Sequence, residues 1–274
     1  MIAGLTRIER FNIAVIERWH RVPPLSGLSV FIARFIIRPL FQLTLGWLVA
    51  AHHVEHLRAV SRARGILLCG NHRSYLDNFV IGSCAMGELP VRTRYVVPSR
   101  TEGMFDAWYG LVLNALIGGF NIYPPVVRSK RGHDWNQHVI TILSDLLRNE
   151  QVAVLIHPEG GRNKGDDPYT LLPARPGLGR IVHQTGACVV PFFLHGFPRD
   201  LRAYGAAAIA RLRGGAPSVQ LVMGAPIDFT HELALPESPT LFHSMAQRIT
   251  AAISDLMPEE RALRALRDTT RPRG

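Results

Sequence analysis

His72 and Asp77 lie five residues apart in a polar stretch, residues 71–77, that directly follows a short apolar run at residues 66–69. Side chains at that spacing point about 140° apart on a regular helix, so they can meet only if His72 precedes a helix and Asp77 lies in its first turn. An imidazole held by a carboxylate at one nitrogen presents the other as a general base near neutral pH. The same residues also fit a helix cap at Ser74 with Asp77 as its acidic partner, which leaves His72 without a role.

A second polar stretch, residues 157–163, follows another apolar run at residues 152–156. Gly160 and the glycine after it allow backbone amides to approach a ligand, and Arg162 offers a planar fork that can bind a phosphate. Glu159 could orient Arg162 or accept a hydrogen bond from a substrate hydroxyl. Taken alone, this Pro-Glu-Gly-Gly sequence also fits an ordinary turn.

The elements that must position these residues are predicted to be strands. Short apolar runs alternate with helical patterns along the chain, which indicates an α/β fold with a mainly parallel central sheet flanked by helices. In such sheets functional loops gather at the carboxyl ends of the strands, so the two polar stretches should meet there. A further helix is expected at residues 105–116, with four side chains facing the core: Trp108, Leu111, Val112 and Ala115.

The two motifs, Asn-His-x4-Asp and Pro-Glu-Gly-x-Arg, each follow a predicted strand, and together they resemble the glycerolipid (lysophospholipid) acyltransferase family over roughly residues 60–225. The resemblance implies that His72 and Asp77 are catalytic. It also implies that Glu159, Gly160 and Arg162 bind the substrate.

The chain departs from the family pattern in two places. Family members usually carry an acceptor-binding arginine after a glycine and an apolar strand, whereas this strand runs into Pro124-Pro125 and the nearest arginine is Arg128. Arg128 could bind the acceptor phosphate or be a solvated loop residue. In the second motif, His157 and Gly161 replace the usual aromatic residue and threonine.

The family resemblance implies a membrane-surface O-acyltransferase that moves a fatty acyl group from acyl-coenzyme A or acyl-carrier-protein to the free hydroxyl of a lysophospholipid. The acceptor it best supports is 1-acyl-glycerol 3-phosphate, which would yield phosphatidic acid without a metal or bound cofactor. Backbone amides after His72 could stabilise the oxyanion. Alternatives are another lysolipid or glycerol 3-phosphate as acceptor, and a non-catalytic lipid-binding membrane protein.

Composition favours contact with an anionic membrane surface. The 274-residue chain has a net charge of +10 and 47% hydrophobic residues. Residues 1–64 hold nine arginines against three glutamates, a net charge of +6 with histidines neutral, and also the longest apolar run. Basic residues set among aliphatic ones favour a membrane over nucleic acid, which binds surfaces with interleaved basic and aromatic residues.

The N-terminal segment predicts a helical pair. Residues 5–20 fit an amphipathic helix, and residues 28–54 are mostly apolar but interrupted by Arg34, Arg38 and Pro39. The uninterrupted part, residues 39–51, falls short of the roughly 20 residues that a spanning helix needs. We therefore expect the pair to lie on or dip into one leaflet, the alternative being a soluble hairpin packed on the catalytic domain.

Three regions follow from these patterns. Residues 1–60 form a membrane-associating helical segment, residues 61–230 the acyltransferase α/β domain, and residues 231–274 C-terminal helices packed on that domain with a basic tail at Arg271 and Arg273. The chain shows no secretory signal, and its three cysteines lie in apolar surroundings without metal or redox spacing. We expect a peripheral or monotopic protein on the cytoplasmic face of a membrane.

Overall fold

The computed structural model describes residues 4–58, 60, 64–149, 151–197, 201–215 and 217–269. Within these residues, a sheet of seven strands has the order β1-β7-β6-β2-β5-β3-β4, and every neighbouring pair is parallel except β6 with β7. The predicted α/β fold with a mainly parallel sheet is confirmed. The strands are β1 (Val49–His52), β2 (Ile66–Gly70), β3 (Arg94–Arg100), β4 (Ile122–Val126), β5 (Val152–Ile156), β6 (Cys188–His195) and β7 (Val219–Met223).

Helices cover both faces of this sheet. They are α1 (Arg7–Arg21), α2 (Pro23–Ile32), α3 (Arg38–Thr44), α4 (Asp77–Glu88), α5 (Gly110–Gly118), α6 (His133–Leu147), α7 (Pro176–Thr185), α8 (Leu201–Leu212), α9 (Thr230–Leu233), α10 (Pro239–Ser254) and α11 (Met257–Thr269). Alternate residues of a strand point to opposite faces, so Leu67 packs into the core under α6, α7 and α10, whereas Leu68 packs under α3 and α4. Because both faces are covered, β2 is buried along its whole length.

Helix α1 is attached to the sheet domain through polar contacts. Thr6 and Glu9 form a capping box at its start. Arg131 donates to both carboxylate oxygens of Glu9, at 2.7 and 2.8 Å, and Glu9 is fully buried. These contacts hold α1 against the loop that follows β4.

The apolar segment differs from the expectation in length. Residues Pro23–Thr44 form one continuous helix, which we call the N-terminal helix. In it, a π-helical turn at Ala33–Ile37 joins α2 to α3. Pro39 lies in the first turn of α3 and does not end the helix, because a missing N–H is tolerated next to the π turn. By length and composition this helix is long and apolar enough to cross a membrane. The prediction from residues 39–51 therefore underestimated the length of the apolar helix. The helical prediction was also wrong beyond Thr44, since residues 49–52 form β1.

Arg34 and Arg38 face the protein. Arg34 donates to the carbonyl oxygens of Met86 and Leu89, and Arg38 donates to that of Ser83 at 2.9 Å. All three carbonyls lie in or just after α4. The opposite side of the helix is apolar and exposed through Leu28, Phe31, Phe35, Ile36, Leu40 and Leu43.

The helix predicted at residues 105–116 begins later than expected, and two side chains predicted to face the core are exposed. The observed helix, α5, starts at Gly110. Phe105 is fully buried, but Trp108 is 81% exposed and Val112 58% exposed, so the core assignment of these two was wrong. The helical pattern indicated an apolar side but could not show whether the protein or the surroundings cover it.

The boundary predicted at residue 60 remains a prediction. β1, from the first region, pairs with β7 of the sheet, and α10 packs against α7 and β6. The basic tail at Arg271 and Arg273 lies outside the described residues.

Candidate active site

The two motif loops lie side by side because β2 and β5 are parallel neighbours. β2 ends at Gly70 and β5 at Ile156, at the same edge of the sheet. The backbone N–H of Asn163 donates to the carbonyl oxygen of His72 at 2.8 Å and joins the two loops directly. The structure thus brings both motifs together at the carboxyl ends of the strands.

His72 and Asp77 form a hydrogen-bonded pair in the turn before α4. Asp77 is the first residue of α4, and its Oδ2 lies 3.1 Å from His72 Nδ1. The same oxygen accepts the backbone N–H groups of Arg73 and Ser74, at 2.7 and 2.8 Å. The N-cap position belongs to Leu76, so the simple cap at Ser74 is not what is observed. Nε2 of His72 has no hydrogen bond to any residue that the structure describes.

The backbone amides around His72 are already in use. The N–H groups of Arg73 and Ser74 bind Asp77, and the N–H of His72 binds Glu159 at 3.0 Å. The expectation that amides directly after His72 stabilise an oxyanion is therefore wrong for these two amides. Their role is to hold the Asp77 carboxylate in place against the imidazole.

Glu159 links the two motifs from a buried position. Its Oε1 accepts the backbone N–H of His72 and its Oε2 that of Leu172, at 2.9 Å. Burial raises the pKa of Glu159, and the two backbone N–H groups oppose that rise. Because both oxygens have backbone donors, the carboxylate fixes the position of His72 in its loop.

His157 stacks on His72. The ring centroids of His157 and His72 lie 4.0 Å apart with the planes 7° from parallel. Nδ1 of His157 donates to the carbonyl oxygen of Gly70 at 2.9 Å, and Nε2 lies 2.8 Å from the side-chain amide of Asn78, whose NH2 group can donate to a neutral ring. Burial, together with the neighbouring His72, lowers the pKa of His157 to about 3. His157 therefore remains neutral and acts as a flat support for His72.

Arg162 packs over an aromatic side chain from the first motif. Its guanidinium carbon lies 3.6 Å from the centroid of the Tyr75 ring, a cation–π contact. Arg100, at the end of β3, lies 5.5 Å from the same ring and donates to the Tyr75 hydroxyl oxygen at 2.8 Å. Tyr75 therefore holds two guanidinium groups near the His72 loop.

The glycines of the second motif allow two more arginines to approach. Gly160 has a φ of +66°, which favours glycine, and a Cβ there would lie 3.3 Å from Cγ of Arg175. A Cβ on Gly161 would lie 3.1 Å from a guanidinium nitrogen of Arg128. Arg128 is exposed, and its guanidinium lies against the second motif.

Two cavities of opposite character adjoin at Tyr75. An apolar cavity of about 400 Å³ extends from Tyr75 and Asn78 between the N-terminal helix, α4 and α5. A polar cavity of about 440 Å³ contains Asp77 together with basic side chains, among them Arg162 and Lys164. Tyr75 lines both, and it lies between His72 and Asp77 in the chain.

Several residues of this site were missed by sequence reasoning. Tyr75, Arg100 and Lys164 carried no signal of their own, since only the fold brings β3 and the two loops together. His157 was noted only as a departure from the family pattern. In the described part of the chain, no group of three or more His, Cys, Asp or Glu side chains could hold a metal ion.

Comparison with known families gives a match. A family model described as Acyltransferase matches residues 51–195, which is more than half of the chain and includes both motifs. No curated protein matches the chain. The chain is an acyltransferase and belongs to the glycerolipid acyltransferase family, as the pairing of its two motifs predicted.

Proposed function

We propose that the protein is a membrane-surface O-acyltransferase that transfers a fatty acyl group from acyl-coenzyme A or acyl-carrier-protein to 1-acyl-glycerol 3-phosphate, giving phosphatidic acid. The observation that carries the proposal is the His72–Asp77 pair beside an apolar cavity and a basic one that adjoin at Tyr75. An apolar cavity suits a fatty acyl chain, and a basic cavity suits a phosphate.

In this mechanism His72 acts as the general base. Asp77 holds Nδ1, so Nε2 takes the proton from the acceptor hydroxyl as its oxygen attacks the thioester carbonyl carbon. The tetrahedral intermediate collapses with cleavage of the carbon–sulfur bond, and the imidazolium returns the proton to the leaving thiolate. Asp77 stabilises the imidazolium between these steps. Transfer is direct and needs no covalent enzyme intermediate.

The basic cavity is proposed to hold the acceptor phosphate. Arg162 and Lys164 line it, and the Arg162 guanidinium is fixed in orientation by the Tyr75 ring. Gly160 allows the loop to bend tightly there, and Arg128 adds positive charge beside Gly161. A planar guanidinium in a fixed position binds a phosphate through two parallel hydrogen bonds.

The apolar cavity is proposed to hold the acyl chain, and the N-terminal helix to place it at the membrane. This helix lines the cavity through Ala33, Ile37 and Phe41, while its other side exposes a row of apolar side chains. A helix that presents one apolar side to its surroundings can lie in the interfacial region of a bilayer. A fatty acyl chain could then move between the bilayer and the cavity without crossing water.

The test is thiol release from a long-chain acyl-coenzyme A by the purified chain in anionic lipid, with a panel of lysolipids and glycerol 3-phosphate as acceptors. We expect release that depends on 1-acyl-glycerol 3-phosphate and falls at least about 100-fold in His72→Ala. Release with another acceptor would change the acceptor assigned to the enzyme and leave the proposed mechanism unchanged. The proposal would be overturned if no acceptor gave release with either acyl-coenzyme A or acyl-carrier-protein as the donor.

A second variant separates acceptor binding from chemistry. Arg162→Ala should raise the KM for 1-acyl-glycerol 3-phosphate by about 10-fold or more, with a smaller change in kcat, because it removes a charged hydrogen-bond donor from the phosphate. An unchanged KM would remove Arg162 from the phosphate site.

A further inference from the structure

A third cavity lies at the opposite end of the sheet from His72. It encloses about 840 Å³ between α2 and the first residues of β3 and β5, which are Arg94 and Val152. Because β3 is seven residues long, this cavity is about 20 Å from the edge that carries the motifs. Its lining includes apolar residues of the N-terminal helix, the basic residues Arg92 and Arg94, and polar residues such as Ser26 and Gln151.

Arg94 meets a neutral partner in this cavity. Its Nη1 lies 2.7 Å from Nδ1 of His20, and Nε2 of His20 lies 2.7 Å from the carbonyl oxygen of Phe120. His20 therefore donates through Nε2 and accepts through Nδ1. Burial, with the nearby Arg94 charge, lowers the pKa of His20 to about 4. His20 orients Arg94 without neutralising it.

The Arg94 charge has no carboxylate partner among the described residues. Its Nε is buried without a hydrogen-bond partner in that part of the chain, and burial lowers the pKa of Arg94 to about 10. Glu17 instead accepts the hydroxyl of Tyr123 at 2.7 Å. Asp145, which also lines the cavity, pairs with Arg148. Since a buried unpaired charge is unfavourable, the site is suited to an external anion.

The apolar side of the cavity continues onto the exposed face of the N-terminal helix. Val30, Phe31 and Phe35 line it, and Phe31 and Phe35 are also about half exposed among the outward apolar residues. A ligand at this place would have its charged end on Arg92 and Arg94 and its apolar part along this helix.

We propose that this cavity binds one anionic phospholipid of the membrane, with its phosphate on Arg92 and Arg94 and an acyl chain along Phe31 and Phe35. The site is separate from the catalytic edge and its occupancy does not require acyl transfer. Its role is to fix the orientation of the chain on an anionic bilayer, with the N-terminal helix in the lipid.

The experiment measures binding of short-chain lipids, as monomers, to the purified full chain by isothermal titration calorimetry. The probes are dihexanoyl phosphatidylglycerol, dihexanoyl phosphatidylcholine and glycerol 3-phosphate. The variants are Arg94→Gln, Arg94→Lys and Arg92→Gln, and the matched control is Arg18→Gln, at an exposed arginine of α1. Circular dichroism checks that each variant is folded.

We expect the anionic lipid to bind the wild-type chain about 10-fold more tightly than Arg94→Gln or Arg92→Gln, with binding kept in Arg94→Lys and in Arg18→Gln. Phosphatidylcholine should bind weakly. If Arg94→Gln does not fold, Arg92→Gln decides, because Arg92 is exposed. Failure of the wild-type chain to bind the anionic lipid, or equal loss in Arg18→Gln, would overturn the proposal. Glycerol 3-phosphate binding that is equally tight and equally weakened in Arg94→Gln would also overturn it. His72→Ala should bind the lipid normally even if no acyl transfer is found.

Discussion

At the residue scale, His72 is fixed from three directions. Asp77 binds its Nδ1, Glu159 binds its backbone N–H, and His157 supports the ring face. Each contact comes from a different position in the two motifs. These contacts keep Nε2 of His72 in one place, as its proposed role as general base requires, because small displacements of such a group reduce rates strongly.

Glu159 offers a direct test of that arrangement. Glu159→Gln places an NH2 group against one of two backbone N–H donors, so it should lower the free energy of unfolding by about 1–3 kcal/mol and reduce kcat, with the acceptor KM unchanged. Urea unfolding and steady-state kinetics measure the two effects, with Glu237→Gln at an exposed site as control. A higher acceptor KM with unchanged stability would instead show that Glu159 binds the acceptor hydroxyl.

Arg162 and Tyr75 show how a residue without a sequence signal becomes part of a site. Arg162 was predicted from the second motif, while its stacking partner lies in the first. The contact requires the two loops to leave adjacent strands at one edge. Neither motif alone determines the direction of the Arg162 guanidinium.

At the element scale, α5 and the N-terminal helix form the walls of the apolar cavity. Leu113 and Ile117 of α5 line it, opposite Ile37 and Phe41. The residue before Ile117, Leu116, is 71% exposed and points away from the cavity. One helix thus separates the cavity from the apolar surface of the protein.

This geometry predicts that Ile117 limits the acyl chain. Ile117→Trp should fill part of the cavity and shift the preferred acyl-coenzyme A toward shorter chains, with kcat/KM for long chains about 10-fold lower, because an overpacked cavity excludes terminal methylenes. Rates measured over a series of chain lengths give the profile. Leu116→Trp is the matched control on the outer side, and a similar shift in that variant would place the chain elsewhere.

At the scale of the whole molecule, exposed apolar residues of the N-terminal helix and of the α5 region lie side by side. Those of the N-terminal helix adjoin α5, which packs against the π turn and exposes Val112 and Leu116, and Trp108 precedes it. Tryptophan with its amphipathic ring is favoured at membrane interfaces. Large contiguous apolar surfaces on soluble monomers are rare, so this side is suited to a bilayer.

Leu40 tests that surface. Leu40→Glu should reduce binding to anionic vesicles by at least about 10-fold, since a carboxylate replaces a residue that would enter the apolar region. Vesicle flotation measures the bound fraction. Leu266→Glu is the control, because Leu266 has a similar exposure, 64% against 59%, on α11. Equal loss in both variants would indicate general charge repulsion and contradict a membrane-facing helix.

The pH dependence of stability also belongs to the whole molecule. Burial lowers the pKa of His157 to about 3 and those of His20 and His195 to about 4. The unfolded chain therefore binds more protons below about pH 6.5, and each group should lower the free energy of unfolding by up to about 1.4 kcal/mol per pH unit as the pH falls from 6.5 toward 4. Urea unfolding at several pH values measures the slope.

The contribution of one histidine can be separated. His157→Asn should reduce that slope by about one third, with the same change at exposed His231 as control. A slope that stays the same in His157→Asn would mean that His157 is charged in the folded protein.

The sequence alone determined the mainly parallel sheet flanked by helices and the contact between His72 and Asp77. Apolar runs such as residues 152–156 can only be buried strands when helices alternate with them, and the spacing of His72 and Asp77 admits one local geometry for contact. Those features depend on local chemistry and on short-range spacing. The structure agrees with both, except that residues 49–52, predicted as helix, add a further strand to the sheet.

The tertiary structure decided which residues each apolar or charged side chain meets. Arg34 looked like an interruption of an apolar segment, but it binds carbonyl groups after and within α4. Trp108 fitted a core position by helical period, yet it faces outward. A periodic pattern gives the side of a helix but not what covers it, because contacts between segments distant in the chain depend on how the sheet brings them together.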